Sequence, residues 1–483
     1  MTDAPSSRAP GLPAIVEIDG SNRLPLFIMF VSAAVWLLIG SGFEMIATLK
    51  FHTPNFLANY AWLTYGRVRP AYTNAVLYGF CLQAGLAVAL WLIARLGGAR
   101  VAYPLAIATG AGLFNLGVTL GILGILGGET TGFENFDFPG FAAVTIFLGY
   151  LLISIPALIT FHLRKERGLF VSQWFLLAAL FWFPWIYSTA QLLLLIFPVR
   201  GVTQAVIAWW FSNNLQFVWL SLVGLAAIFY FIPKLTSCEL HSRYLALLMF
   251  WFVILFGSWC GIPVTAPVPA WVPALSTVAT ALMLIPFLTL ALNIQATLKG
   301  QRDKIKTSLP LQFICFGTAG FMIAVLMNIF AALPPFSNLA AFTWFETARA
   351  HAIFYGFFSM TMFGSIYYIL PRVAGLEFSF PKLVRVHLWL AGIGILLVIL
   401  PLALGGLVQG LKIRNPDIAF TEVSKVSLNF LRATTLGDLM VAAGHVVFLA
   451  NVVGLVNRFL RPRALAGYEA ATADLFQTAE AKP

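Results

Sequence analysis

The chain has 483 residues, of which 60% are hydrophobic and 10% are charged, and its mean hydropathy is +0.89. Because a soluble domain carries about 25% charged residues, this composition excludes an ordinary soluble enzyme and indicates an integral membrane protein. The formal net charge of +11 is compatible with nucleic-acid binding in magnitude, but not in its distribution along the chain.

Twelve segments approach the length of about 20 apolar residues that a helix needs to cross a membrane. We predict an all-α integral membrane protein with about twelve transmembrane helices in one domain, residues 25–462. Residues 1–24 and 463–483 are predicted to be polar cytoplasmic tails, the first of them disordered. The last span ends near Phe459, and the spans begin near Leu26, Asn74, Val101, Phe141, Phe170, Gln204, Tyr244, Val272, Leu309, Trp344, His387 and Arg432.

The basic residues are distributed unevenly between the two sides of this topology. If both termini lie on one side, that side holds 20 of the 29 Lys and Arg residues. The positive-inside rule then places both termini in the cytoplasm. The positive charge therefore reports topology and contact with the lipid bilayer, and no nucleic-acid partner is predicted.

Carboxylates are rare in the predicted spans. Glu44 lies near the outer end of the first span, and none is placed near the middle of the membrane, so we predict no proton relay. The loop after the third span contains Glu129, Glu134 and Asp137 without Lys or Arg. These acids are expected to face outward, either as a solvated surface or as a docking surface for a basic partner.

Polar residues also mark spans six and ten. Asn213 and Asn214, high in span six, are expected to hydrogen-bond a neighbouring helix or an internal water. Of the six histidines, only His351, and at most His445 besides, lies within a span. A lone histidine in a membrane is either a hydrogen-bonded packing residue or a metal or haem ligand. Three clustered imidazoles for a copper site are not available.

Taken together, the segments resemble subunit I of the haem-copper oxidase superfamily, and its C-type (cbb-type) branch most closely. The resemblance extends from about Leu26 to Phe459 and implies a twelve-helix bundle with cytoplasmic termini in a bacterial inner (plasma) membrane. It is carried by residues 62–75, 132–139, 209–210, 230–234 and 351–372, and by the runs 387–390 and 409–411.

The resemblance also assigns the haem-ligand positions. In the family, two histidines hold a low-spin haem; here these positions are Tyr72 and His351. The proximal ligand of the high-spin haem corresponds to Arg349, whose guanidinium stays protonated and has no lone pair for iron. One haem b remains conceivable, held by His351 alone or together with Tyr72. Alternatively, Tyr72 is an interface aromatic and Arg349 pairs with Glu346 on the same helix face.

The copper ligands are substituted as well. The first corresponds to Asn213, and the adjacent histidine pair falls at Pro263 and Val264, in a stretch that is about two residues shorter than the family pattern. Because these side chains cannot replace imidazoles at copper, copper binding is not expected. We predict that Phe and Trp side chains from spans two, six, seven and ten fill the space.

Three functions remain open. The first is a subunit I paralogue without the high-spin haem and copper centre, acting as a structural or electron-transfer subunit beside a membrane-anchored cytochrome c. The second is an active terminal oxidase or nitric oxide reductase, which needs metal sites that the sequence does not supply. The third is a twelve-span transporter, for which the interrupted spans and midplane charges are missing. Whether the chain is an enzyme stays undecided at this point.

Overall fold

In the computed structural model, residues 12–480 are described, with side chains for residues 15–466, 468 and 469. This part of the chain folds into helices that are joined by loops. Short helices lie at Ala61–Leu63, Arg302–Thr307 and Pro334–Ala340. The twelve principal helices are α1 Leu12–Leu49, α2 Tyr65–Gly97, α3 Pro104–Gly127, α4 Gly140–His162, α5 Val171–Ile196, α6 Val202–Thr236, α7 Arg243–Leu255, α8 Trp271–Leu298, α9 Leu309–Ala332, α10 Trp344–Ala374, α11 Pro381–Ile413 and α12 Phe420–Glu480.

Within the described residues, eleven of these helices are long and apolar enough to cross a membrane. The predicted all-α membrane fold is therefore confirmed, while the seventh segment is shorter than expected. Helix α7 has 13 residues and is followed by a short 3₁₀ turn at Gly257–Trp259. The chain then leaves the helix through Gly261, whose φ of +93° favours glycine. Pro263, two residues later, cannot continue a helix.

The chain ends of the bundle differ from the predicted tails. Helix α1 begins at Leu12, so the expectation of a disordered tail is wrong for residues 12–24. Asp19 explains this, because its carboxylate accepts hydrogen bonds from Trp91 Nε1 and Arg95 Nη1, both at 3.0 Å. These contacts fix the start of α1 against the end of α2. At the other terminus, α12 continues as a helix to Glu480.

Helices α2, α6 and α10 form the interior of the bundle, and their apolar stretches are almost completely buried. Each contains a π-helical segment: Ala75–Leu82, Asn214–Trp219 and Ala352–Ser359. Such segments widen one turn of a helix and often occur at functional sites. They begin directly after or within three residues of Tyr72, Asn213 and His351, so the three helices change geometry where the sequence places its candidate site residues.

Small residues allow the interior helices to approach their neighbours closely. A Cβ on Gly320 of α9 would lie 2.1 Å from the carbonyl oxygen of Gly356 in α10. A Cβ on Gly224 of α6 would lie 2.3 Å from the ring of Phe357. In a membrane, such close packing supplies much of the attraction between helices, and here it fixes α10 between α6 and α9.

Candidate functional site

Helices α2 and α10 bring Tyr72 and His351 into direct contact. The Tyr72 hydroxyl lies 3.1 Å from His351 Nε2, within hydrogen-bond distance, and both side chains are buried. The other ring nitrogen, Nδ1, lies 2.8 Å from the carbonyl oxygen of Thr347, one turn earlier on α10. His351 is therefore oriented from both sides.

Two carboxylates and a second phenol complete this arrangement. Glu44 of α1 places Oε1 3.2 Å from His351 Nε2 and accepts a hydrogen bond on Oε2 from Tyr355, at 3.1 Å. Asp438 of α12 lies beside Glu44 and is also buried. We call Tyr72, His351, Glu44, Tyr355 and Asp438 the His351 cluster. Two small cavities of about 10 and 30 Å³ adjoin this cluster. The smaller one has room for one water molecule at most.

The His351 cluster does not fit a haem held between Tyr72 and His351. Metal–nitrogen bonds of about 2 Å would place two axial ligand atoms about 4 Å apart, on opposite faces of a porphyrin. The two atoms here are 3.1 Å apart and share a hydrogen bond. Glu44 occupies the remaining approach to His351 Nε2, and the adjoining cavities are far smaller than a porphyrin.

The remaining four candidate positions lie together elsewhere. Asn213 of α6, Pro263 and Val264 after α7, and Arg349 of α10 line one cavity of about 290 Å³. We call this space the Arg349 cavity. Its existence contradicts the prediction that Phe and Trp side chains fill the region, because the side chains at these four positions do not reach across it. An amide, a pyrrolidine ring and an isopropyl group offer copper none of its preferred imidazoles.

Arg349 is fixed by three contacts at the edge of this cavity. Its Nη2 pairs with Glu346 Oε2, and its Nη1 donates to Asn328 Oδ1 on α9. Its guanidinium carbon lies 5.2 Å from the centre of the Phe217 ring, a cation–π distance. The expected pairing of Arg349 with Glu346 is thus confirmed. The guanidinium is held as a charged group and has no capacity to bind iron.

The paired amides of span six bond to the end of α7, as expected. Asn213 Nδ2 donates to the Gly257 carbonyl at 2.9 Å, and Asn214 Nδ2 donates to the Ser258 carbonyl at 3.1 Å. Asn213 Oδ1 is buried without a hydrogen-bond partner in the described structure. The two bonds position the loop after α7 against α6, and they leave one amide oxygen unused beside the cavity.

The acidic loop after α3 does not present all its carboxylates to solvent. Asp137 is buried and accepts a hydrogen bond from Asn74 of α2 at 2.7 Å, while Glu134 lines the Arg349 cavity. Burial raises the pKa of Asp137 to about 6, the hydrogen bond from Asn74 lowers it, and the charge of nearby Glu134 raises it. Only Glu129 and Glu134 are exposed, so the expectation of three outward acids is wrong for Asp137.

The sequence indicated Tyr72 and His351 but missed the two carboxylates that lie near them. Glu44 was assigned to the outer end of a span, and no relay of titratable groups was expected. The structure places both acids beside His351, with less than a tenth of each side chain exposed. A carboxylate within an apolar helix usually faces a polar partner inside the bundle. The rule applies to Glu44 and Asp438, but it does not say which residues lie beside them.

Two further histidines each lie within hydrogen-bond distance of a hydroxyl group. His445 Nδ1 lies 2.6 Å from Ser41 Oγ, and His387 Nδ1 lies 2.9 Å from the Tyr367 hydroxyl. Phe363 packs against both imidazole rings. Both histidines therefore pair with a hydroxyl group inside the bundle. Across the described residues, no group of three or more His, Cys, Asp or Glu side chains is arranged to hold a metal ion.

The helix arrangement and the family comparison agree on the class of protein. A family model described as "Cytochrome C and Quinol oxidase polypeptide I" matches residues 25–440. The chain therefore belongs to the haem-copper oxidase subunit I family. Its fold is also that of the family: a solved haem-copper terminal oxidase dimer superposes with a TM-score of 0.67, covering 90% of this chain and 84% of that one, at 13% sequence identity.

Individual relatives are distant but extend over most of the chain. A "Cytochrome c oxidase subunit 1 homolog" of Azorhizobium caulinodans is 25% identical over 469 residues, covering 91% of this chain and 84% of the relative. The "Cbb3-type cytochrome c oxidase subunit CcoN1" of Stutzerimonas stutzeri is 24% identical over 435 residues, covering 88% and 91% respectively. The match includes α2, α6 and α10, which hold the candidate site residues.

Proposed function

We propose that this protein is a subunit I paralogue without the high-spin haem and copper centre, serving as a non-catalytic subunit of a respiratory membrane complex. One observation carries the proposal. The four positions that the family resemblance assigns to the proximal ligand and to copper hold Arg349, Asn213, Pro263 and Val264, and these four line a single cavity. Residues far apart in the sequence therefore meet where a binuclear centre would have to form, and none of them is suited to it.

The His351 cluster favours a structural role over electron transfer. An electron-transfer subunit needs a redox group, and His351 is the one family ligand position that still holds histidine. Its Nε2 is engaged by Tyr72 and Glu44 at 3.1 and 3.2 Å. Binding of one haem b would require this hydrogen-bonded group to separate. The natural partners of such a subunit are the bilayer and other respiratory subunits, such as a membrane-anchored cytochrome c.

The orientation is part of the same proposal. Both termini are placed in the cytoplasm, since the side with the termini holds most of the Lys and Arg residues. The relatives are bacterial oxidase subunits, which supports a multi-pass location in a bacterial plasma membrane.

The test is an optical and elemental measurement on the purified full-length protein from its native membrane. Reduced-minus-oxidised absorption is recorded together with iron and copper content per chain. Neither haem nor copper is expected. One haem without copper would support the electron-transfer form and show that the His351 cluster opens. Two haems and copper in each chain would overturn the proposal.

A second candidate, an active terminal oxidase or nitric oxide reductase subunit, is favoured by the names of the relatives. It differs in a directly measurable property, consumption of oxygen or nitric oxide with reduced cytochrome c. Activity that disappears on mutation of His351 would support this candidate over the first.

A further inference from the structure

The Arg349 cavity has a mouth and a floor. Glu134, Thr265 and Phe342 are exposed and stand on the loops after α3, α7 and α9, on one side of the bundle. Ser276 and Thr280 of α8, which also line the cavity, are buried. Its volume of about 290 Å³ corresponds to on the order of ten water molecules at their share of liquid volume. A solute of that size can enter from the aqueous side of these loops.

The charges that line the cavity are unequal. They comprise two carboxylates, Glu134 and Glu346, and one guanidinium, Arg349. Glu346 is neutralised by its ion pair with Arg349, which leaves Glu134 without a counter-charge in the lining. Arg69, which interacts electrostatically with Glu134, is outside this cavity and donates to Tyr65 and Thr347, both at 3.0 Å.

An anion is disfavoured by the same charges. The terminal nitrogens of Arg349 each have a partner, Asn328 and Glu346, while its Nε is buried without a hydrogen-bond partner among the described residues. An incoming anion could bond to Nε without displacing these partners, but it would meet the charges of two carboxylates in the lining, Glu346 and Glu134. Like charges that are brought together in a poorly solvated space repel strongly.

Two acceptors in the lining are available to a ligand. Asn213 Oδ1 is buried and has no partner among the described residues, because the amide nitrogen is committed to Gly257. Gln216 donates from one N–H of Nε2 to Ser212 Oγ at 3.0 Å, and its carbonyl oxygen is the second acceptor of the lining. A buried acceptor without a donor destabilises the protein. A ligand with several N–H groups would remove this cost.

The rest of the wall is apolar and has small side chains. Ala331 and Ala332 of α9, Ala350 of α10, Pro263 and Val264 line it. These groups can pack against a short carbon chain, and the aromatic rings of Trp209 and Phe217 add surfaces that attract a cation.

We propose that the Arg349 cavity binds a small organic cation, a primary ammonium group on a short carbon chain, which enters between the loops after α3, α7 and α9. The ammonium donates to the acceptors of the wall, Glu134 supplies the balancing charge, and the alanines enclose the carbon chain.

The experiment measures binding of three probes of equal shape to the detergent-solubilised full chain: propylammonium, propanol and propionate. Binding is followed by calorimetric titration and by the shift of the unfolding temperature, at one ionic strength. Propylammonium is expected to bind and to raise the unfolding temperature, while the other two probes do neither. Glu134→Gln should weaken binding about tenfold, and Ala350→Leu, which fills the cavity, should abolish it.

The matched control is Glu129→Gln, which removes an exposed carboxylate from the same loop outside the cavity and should leave the affinity unchanged. Equal binding of propanol, preferential binding of propionate, or unchanged affinity in Glu134→Gln and Ala350→Leu would each overturn the proposal. None of these results depends on haem or copper content, so they are separate from the test of the proposed function.

Discussion

The two faces of α10 differ in how densely side chains pack at the candidate ligand positions. Arg349 and His351 are two residues apart, so their side chains project about 200° apart around the helix. On the His351 face, five polar side chains close on one another and leave cavities of about 10 and 30 Å³. On the Arg349 face, a cavity of about 290 Å³ remains.

Side-chain reach explains the difference. The Tyr72 side chain is longer than an imidazole, and its hydroxyl lies 3.1 Å from His351 Nε2. Asn213, Pro263 and Val264 extend no further than imidazoles, and the amide nitrogen of Asn213 turns to the Gly257 carbonyl. A single long polar residue can therefore close a cofactor position, whereas several short ones leave it open. Dense packing is the norm in protein interiors, which makes the open side the unusual one.

The largest effect on stability should come from a substitution within the His351 cluster. His351→Ala removes a group that contacts Tyr72, Glu44 and Thr347. Leaving buried polar partners unpaired costs about 3–5 kcal/mol, and we expect a loss of about 4 kcal/mol in the free energy of unfolding. Denaturant unfolding of the solubilised protein measures it. His162→Ala, at an exposed helix end, is the matched control and should change stability little. Equal stability of the two variants would contradict the closed cluster.

The next test concerns the loop that joins the two sides. Asp137 bonds to Asn74, two residues from Tyr72, and the same loop carries Glu134 into the cavity. The pKa of Asp137 is about 6 in the folded protein, above the ordinary value of 3.8. The folded state therefore holds this proton more tightly than the unfolded state does. Stability should be highest at low pH and should fall as the pH rises from about 4 to above 6, by about 3 kcal/mol at most.

Asp137→Asn is expected to remove this pH dependence and to be more stable than the wild type at pH 7. Unfolding at pH 4.5 and pH 7 in both proteins measures the effect. Glu129→Gln, an exposed carboxylate of the same loop, is the control. The opposite result would be a wild type that becomes more stable from pH 4.5 to pH 7, with the same change in Asp137→Asn. That result would show that Asp137 is solvated in the folded protein.

A third test adds the same volume on the two faces of α10. Ala348 is fully buried against Val398, Leu402 and Leu431, while Ala350 lines the open cavity. Ala348→Leu should lower the free energy of unfolding by about 2 kcal/mol, because added methyl groups strain a packed core. Ala350→Leu should cost less than about 0.5 kcal/mol or stabilise the protein, since space is present. Similar losses in both variants would show that the cavity is not open in solution.

Most of the fold could be predicted from hydropathy, because a membrane helix needs only a long apolar segment. The exceptions depend on contacts between distant residues. The helical start of α1 rests on Asp19, whose partners Trp91 and Arg95 are more than 70 positions away. Helix α7 is short because the chain leaves it at Gly257–Trp259 to bring the following loop against α6, and composition alone does not contain that information.

The candidate site, like the fold, could be predicted from the sequence only in part. The pairing of Arg349 with Glu346 was predictable, since residues three apart share a helix face. The bond between Glu44 and His351 joins positions 307 residues apart, and one sequence gives no signal for it. The cavity was also not predicted, because its size depends on how side chains from several helices pack and not only on the residue types.

The smallest expected effect concerns how much Arg349, on the cavity side of α10, contributes to the free energy of unfolding. Arg349→Ala removes the pair with Glu346, whose side chain is 37% exposed, and the bond to Asn328. Because partly exposed pairs are weakened by solvent, we expect a loss of about 1 kcal/mol, well below that of His351→Ala.

The matched variant Glu346→Gln should cost about the same, and the double variant should cost less than the sum of the two single losses. Additive losses would show that the two residues do not interact. A loss equal to that of His351→Ala would mean that the Arg349 cavity is as tightly coupled to folding as the His351 cluster, and the contrast between the two faces of α10 would no longer hold.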